Sequence, residues 1–99
     1  AVLSHADVRG ARLFSTDLSG AIITEADLDG VNFLGACFCN TDLSESSLIG
    51  ANLSEADLIG ADLFAANLIG AKLEHADLRG ANLRCQDLDD LKSRGARID

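Results

Sequence analysis

The sequence predicts an all-β solenoid, a single domain in which short extended segments wind into stacked coils. Every fifth residue from Leu3 to Leu88 is a medium-sized or large apolar residue, and the phase holds over eighteen units. A helix needs a spacing of 3.6 residues and a half-buried strand a spacing of two, so neither explains this period. A backbone that turns a corner every five residues does explain it, and repeated corners are typical of solenoids.

A second inward position lies two residues before this central apolar residue, which we call position i. Position i−2 holds Ala, Ser or Thr in sixteen of the eighteen units, with Val31 and Gln86 as the exceptions. Side chains alternate along an extended segment, so i−2 and i point to one side and i−1 and i+1 to the other. Positions i and i−2 are therefore the predicted core, including Phe33 and Phe38.

Position i+2 indicates how the corners are built. Glycine occupies it in every second unit from Gly10 to Gly80, except that Asn40 and Asp90 stand in the same ten-residue series. These residues accept a positive φ most readily, which predicts type II turns at these corners. The intervening corners, such as those at His5 and Glu55, are expected to use another turn type.

The repeating unit resembles that of the pentapeptide repeat proteins. Its motif of Ala, Asp or Asn, then Leu appears at Ala26-Asp27-Leu28, Ala61-Asp62-Leu63, Ala66-Asn67-Leu68 and Ala81-Asn82-Leu83, and the likeness covers almost the whole chain. The resemblance implies a right-handed quadrilateral parallel β-helix with four units in each coil. The 99 residues would then form about five coils.

We expect one repeat domain over residues 1–99, with regular repeats over 1–90 and a C-terminal capping segment over 89–99. After Leu88 the acids come first, the bases follow and Gly95 ends the run, which is the charge order of a short helix. The alternative is a degenerate last coil, because Ala96-Arg97-Ile98 returns to the repeat phase. At the other end, an uncapped first coil would expose ladder groups, so we expect a missing cap or pairing with another molecule.

The cysteines are expected to be reduced thiols. Cys37 and Cys39 flank Phe38 at i−1 and i+1, so both should point outward, while Cys85 lies more than two coils away. A Cys-x-Cys bridge is geometrically awkward, and an odd count argues against a disulfide framework. No metal site is expected either, because His5 and His75 fall on other faces and coils, which leaves the two thiols without further ligands.

Reduced thiols point to a cytoplasmic location. The thylakoid lumen or another compartment is the alternative if a targeting segment was removed before Ala1. The chain has no run of eighteen apolar residues, so we expect no transmembrane segment and no membrane contact.

Nothing in the chain predicts catalysis or a cofactor. It has no phosphate-binding glycine loop, nucleophile elbow or zinc motif. Its acidic residues at i−1 are motif residues that cap turns or face solvent. We therefore expect no enzyme activity, no cofactor and no metal.

Two surface features suggest interaction. The first is a set of outward apolar residues, in which Ile49 stacks on Ile69 and both Ile59 and Phe64 lie in the same middle coils. These residues predict a partner-binding or dimer patch. The alternative is that exposed β-branched and aromatic residues stand here only because they favour an extended backbone. The second is an acidic face, the side centred on Val8, Leu28, Leu48, Leu68 and Leu88. It carries six aspartates, among them Asp7, Asp27, Asp29 and Asp87, against Arg9 alone.

These features favour a non-catalytic structural or protein-interaction scaffold. Its protein partner is unidentified, and homodimerisation or end-to-end association are forms the contact could take. The alternative is an acidic DNA mimic that binds a type II topoisomerase such as gyrase, as some members of the resembled family do. The net charge of −8 suits a mimic and argues against direct nucleic-acid binding. A basic face that includes Arg12 and Lys72 interrupts the negative surface and weakens this alternative.

Overall fold

A computed structural model of the protein describes residues 3–9 and 12–99. Parallel β-bridges join residues twenty positions apart, from Asp7 with Asp27 near one end to Asp77 with Arg97 near the other. The bridged residues stand at position i−1, so each coil contains four units. The β-structure consists of isolated bridges rather than longer strands, because the chain turns after every fifth residue. The stacking agrees with the predicted solenoid.

Backbone hydrogen bonds run in both directions between neighbouring coils. The amide of Leu43 donates to the carbonyl of Asp62 at 2.8 Å, and the amide of Asp62 donates back to the carbonyl of Thr41 at 2.9 Å. This pair of bonds recurs around each coil and forms a parallel ladder. It places every outward side chain directly above the one twenty residues earlier.

The core contains the residues at i and i−2, as the sequence predicted. Every residue at i from Ile23 to Leu78 is buried, and the rings of Phe33 and Phe38 meet edge to face with their centroids 4.9 Å apart. The residues at i in the first coil, from Leu3 to Leu18, are only half-buried against this cluster. Among the described residues, the first coil has a neighbouring coil on one side only, which explains why these side chains are only half-buried.

The corners are more uniform than expected. All described residues at i+2 from His5 to Cys85 have a positive φ, between 54° and 71°. Glu55 (φ 60°) and Gly60 (φ 71°) adopt the same left-handed backbone region, and the next amide closes both turns onto position i. The expected difference between the two kinds of corner thus does not extend to φ. A closed turn with this path requires positive φ at i+2 whichever residue stands there.

The regular coil ends earlier than predicted. Within the described residues the chain forms one helix, α1 (Leu88–Ser93), so the repeats do not continue to Asp90. Asp87 is the N-cap and its carboxylate accepts the amide of Asp90. Leu88, expected in the core, is 47% exposed, and Leu91 is buried in its place because the helix turns that side chain inward.

The segment after α1 combines the two alternatives for this end of the chain. The helix comes first, and Gly95 then turns the backbone with a φ of 93°. Arg97 rejoins the ladder opposite Asp77. The described part of the chain contains no helix with the length and apolarity that crossing a membrane requires.

Candidate interaction surface

The structure separates the four apolar residues that the sequence grouped together. Ile49 and Ile69 occupy the same position on adjacent coils of the acidic face, with 40% and 66% of their surface exposed. Phe64 lies around the corner on the neighbouring side. Ile59 lies on the opposite side, so it cannot share a patch with Ile49 and Ile69.

The acidic face is partly neutralised at its N-terminal end. Arg9 places Nη2 2.7 Å from Asp7 Oδ2 and Nε 3.3 Å from Asp27 Oδ2. The hydrogen bond from Arg9 lowers the pKa of Asp7 below its ordinary value. Arg9 therefore supplies a counter-charge to both carboxylates.

The other two aspartates of the predicted surface also have local partners. Asp29 Oδ1 accepts the amide of Ile49 at 2.9 Å and the hydroxyl of Ser47. Asp87 is the N-cap of α1. All four predicted acidic residues thus lie on the surface, and each already has a bonded partner within the chain.

A groove of about 510 Å³, open to solvent, lies between α1 and the acidic face. It exists because the chain leaves the coil at Leu88 and does not cover the segment around Ile69. No sequence pattern predicted this groove, because the residue at which the helix starts could not be identified from the sequence. Its lining residues are Ala65, Ala66, Asn67, Leu68, Ile69, Cys85, Gln86, Asp87, Asp90 and Arg94.

The groove also contains an incomplete backbone ladder. Side chains replace the missing coil in part: Gln86 Nε2 donates to Ala66 O at 2.7 Å, and Arg94 Nη1 donates to Leu68 O. Within residues 3–9 and 12–99, however, the amides of Leu68 and Gly70 have no hydrogen-bond acceptor. Two donors of an edge segment therefore lie on either side of the exposed Ile69.

A separate cluster of thiol and carboxylate groups lies on the side opposite the acidic face. Cys37 Sγ is 3.3 Å from Cys39 Sγ and 2.9 Å from Ser19 Oγ. The ligand atoms of Cys37, Cys39 and Asp57 all lie within 4.8 Å of one another. The expectation that the thiols lack a further ligand is therefore wrong, because it considered histidines and overlooked Asp57, twenty residues after Cys37.

The two thiols differ in acidity. The hydrogen bond with Ser19 is the main reason that the pKa of Cys37 is below its ordinary value. Burial is the main reason that the pKa of Cys39 rises to about 12, and the hydrogen bonds with Cys37 and Asp57 act in the same direction. All three cysteines of the chain are free thiols, as expected.

Comparison with known proteins gives a consistent result for sequence and structure. The family model for pentapeptide repeats matches residues 6–44 and 46–84, in 8 copies. A search of curated proteins found no match.

Several solved structures are similar to this chain. A pentapeptide repeat protein of Nostoc PCC 7120 is 36% identical, with a TM-score of 0.88 over 100% of this chain and 81% of its own. HetL, a pentapeptide repeat protein involved in heterocyst differentiation regulation in the same cyanobacterium, is 38% identical, with a TM-score of 0.79 over 83% of this chain. The match covers only 38% of HetL.

A third match, to Rfr23 from the cyanobacterium Cyanothece 51142, is 26% identical, with a TM-score of 0.52 over 99% of this chain and 86% of that chain. Rfr23 is also a pentapeptide repeat protein. Together these neighbours imply the right-handed β-helix that the sequence resemblance predicted.

Proposed function

Since this chain belongs to the pentapeptide repeat family, we propose that it is a non-catalytic scaffold whose groove binds an extended segment of a protein partner. Membership in a family and a fold do not by themselves supply a role. The proposal therefore rests on the groove beside α1 and on the residues that line it.

The observation that carries the proposal is the open edge at Leu68–Gly70. Two amides without acceptors flank Ile69, whose side chain is 66% exposed. An extended peptide placed along this edge would accept both hydrogen bonds and cover Ile69, which is the pattern of β-strand addition. The main-chain bonds would supply affinity, and the apolar contacts with Ile69 and Ile49 would select the side chains of the partner.

Charge adds a further requirement on the partner. The helical rim of the groove carries Asp87 and Asp90, and Arg94 already bonds to Asp90 with Nη2 2.7 Å from Oδ2. A segment with an apolar residue followed or preceded by a lysine or arginine would complement this rim. We propose this composition for the bound segment.

The test is affinity capture from an extract of the source organism, quantified by mass spectrometry and paired with sedimentation of the purified chain. The variant carries Ile49→Lys and Ile69→Lys. The matched control is Ile59→Lys, because Ile59 is 37% exposed but lies on the opposite side of the coil. Circular dichroism checks that both variants keep the fold of the unaltered chain.

We expect the unaltered chain and the Ile59→Lys control to retain the same protein, or to self-associate to the same extent, and the double variant to lose that contact. Equal retention by the double variant would overturn the proposal. So would a loss that is the same in the control, since it would not depend on the groove.

The DNA-mimic alternative receives less support from the contacts. A mimic needs a continuous acidic surface, whereas Arg9 pairs with Asp7 and Asp27, and Asp29 and Asp87 bond to backbone amides. We therefore keep the scaffold as the proposed function.

A further inference from the structure

We propose that Cys37, Cys39 and Asp57 form a binding site for a thiophilic divalent cation, and that Zn²⁺ is the ion that fits it. This site lies on the opposite side of the coil from the groove. It does not depend on the proposed scaffold function.

The backbone of the coil brings the three ligands together. Cys37 and Cys39 lie on either side of Phe38, whose ring is fully buried, so both thiols extend from the outer surface of one segment. Asp57 is bridged to Cys37 from the next coil, and the amide of Phe38 donates to the carbonyl of Asp57 at 2.7 Å. The relative position of all three side chains is thus fixed by the ladder and not by a flexible loop.

The spacing of the donor atoms suits a tetrahedral ion. A zinc–sulfur distance of about 2.3 Å places two thiolate sulfurs about 3.8 Å apart in a tetrahedral site. The sulfurs of Cys37 and Cys39 are 3.3 Å apart, so a small rotation of either side chain is sufficient. Asp57 Oδ1 accepts the amide of Ile59 at 3.1 Å, which orients the carboxylate and leaves Oδ2 to bind the ion.

The chemistry of the donor set selects the class of ion. Two thiolates exclude Mg²⁺ and Ca²⁺, which prefer oxygen, and a carboxylate is a poor ligand for Cu⁺. Zn²⁺ accepts both donor types. A water molecule would fill the fourth position, and Ser19 Oγ, 2.9 Å from Cys37 Sγ, is a nearby polar group that could bond to it. Binding converts two thiols to thiolates and releases two protons to solvent.

The test is titration of the reduced chain with Zn²⁺ in competition with a chromophoric chelator, and with Co²⁺ as a spectroscopic probe. We expect one equivalent of metal per chain and a thiolate-to-cobalt charge-transfer band. Cys37→Ser and Cys39→Ser should each abolish the band. Cys85→Ser should leave it unchanged.

The carboxylate is tested with a matched pair. Asp57→Asn should weaken zinc binding more than ten-fold, whereas Asp62→Asn, the same change at the same repeat position on another side, should leave it unaltered. Both variants should fold, because asparagine already occupies i−1 at Asn52 and Asn67, and the Asn67 side chain still accepts the amide two residues on at 3.1 Å.

Three results would overturn the proposal. One is the absence of binding by the reduced chain at micromolar zinc. Another is half an equivalent per chain, which would mean that the ion bridges two chains. The third is undiminished binding by Asp57→Asn, because the carboxylate would then not be a ligand.

Discussion

Replacing Gly60 with alanine should destabilise the coil more than the same replacement at Gly80. Both glycines have a φ of 71°. A Cβ added at Gly80 would meet nothing nearer than the amide nitrogen of Gly60, 3.9 Å away, whereas a Cβ added at Gly60 would overlap Asn40 Oδ1. The difference between the two variants therefore measures one contact between stacked corners.

The expected magnitudes follow from the backbone and from that overlap. A left-handed backbone costs alanine about 1–2 kcal/mol. The smaller conformational freedom of the unfolded chain offsets about 0.4–1 kcal/mol of this cost. Gly80→Ala should thus lower the free energy of unfolding by about 1 kcal/mol. Rotating the exposed Asn40 side chain away from the new Cβ adds about 0.5–1 kcal/mol, so Gly60→Ala should lower it by about 1.5–2 kcal/mol.

The assay is urea denaturation followed by far-ultraviolet circular dichroism, because the chain contains no tryptophan or tyrosine. A double variant, Asn40→Gly with Gly60→Ala, removes the overlapping side chain. Its free energy of unfolding should therefore exceed that of Gly60→Ala by about the difference between Gly80→Ala and Gly60→Ala. Equal losses for Gly60→Ala and Gly80→Ala would refute the reasoning. So would a double variant that recovers nothing.

Three further outcomes are expected. Leu91→Ala should lower the free energy of unfolding by about 2–4 kcal/mol in the same assay because it empties a core position. Leu88→Ala, on the exposed side of α1, should change it by less than about 0.5 kcal/mol. Similar losses for the two variants would contradict the burial of Leu91 in place of Leu88. Arg79 lowers the pKa of Asp77, mainly through a side-chain hydrogen bond. The stability that this bond adds is therefore present above pH 3.8, the ordinary pKa, and is lost as the pH falls through the lower folded-state pKa. Asp77→Asn should therefore flatten the acid limb of a pH titration followed by circular dichroism. An unchanged acid limb would contradict this expectation. The chain should not inhibit gyrase supercoiling at micromolar concentration, and inhibition that disappears when four aspartates of the acidic face become asparagine would favour the DNA mimic. Those aspartates are Asp7, Asp27, Asp29 and Asp87.

Much of the fold could be predicted because each unit repeats the same two inward positions. The apolar residue at i and the small residue at i−2 recur without a slip, and a repeated local pattern leaves few ways to bury both. The predicted core residues at i from Ile23 to Leu78 are all buried. The prediction failed at Leu88, where the five-residue apolar spacing continues in the sequence but the chain forms α1. Capping by Asp87 and burial of Leu91 depend on contacts with the last coil, which the repeat pattern does not specify.

The candidate sites were harder to predict, since they depend on stacking between coils. The sequence analysis grouped Ile59 with Ile49 and Ile69 because all three lie in the middle coils, yet a four-sided coil puts Ile59 on the opposite side. The groove could not be predicted at all. It follows from the point at which the chain leaves the ladder, and no local signal marked that point to within a residue.

The sequence alone determined the repeat, its inward positions and the family, because a five-residue period over most of the chain admits one class of backbone. Tertiary structure decided the rest. A shared turn geometry imposes positive φ on Glu55 as it does on Gly60, and the twenty-residue stack brings Asp57 to Cys37 and Cys39. The start of α1 leaves the edge at Leu68–Gly70 open. Each of these results depends on contacts between residues about one coil apart, which a five-residue pattern does not encode.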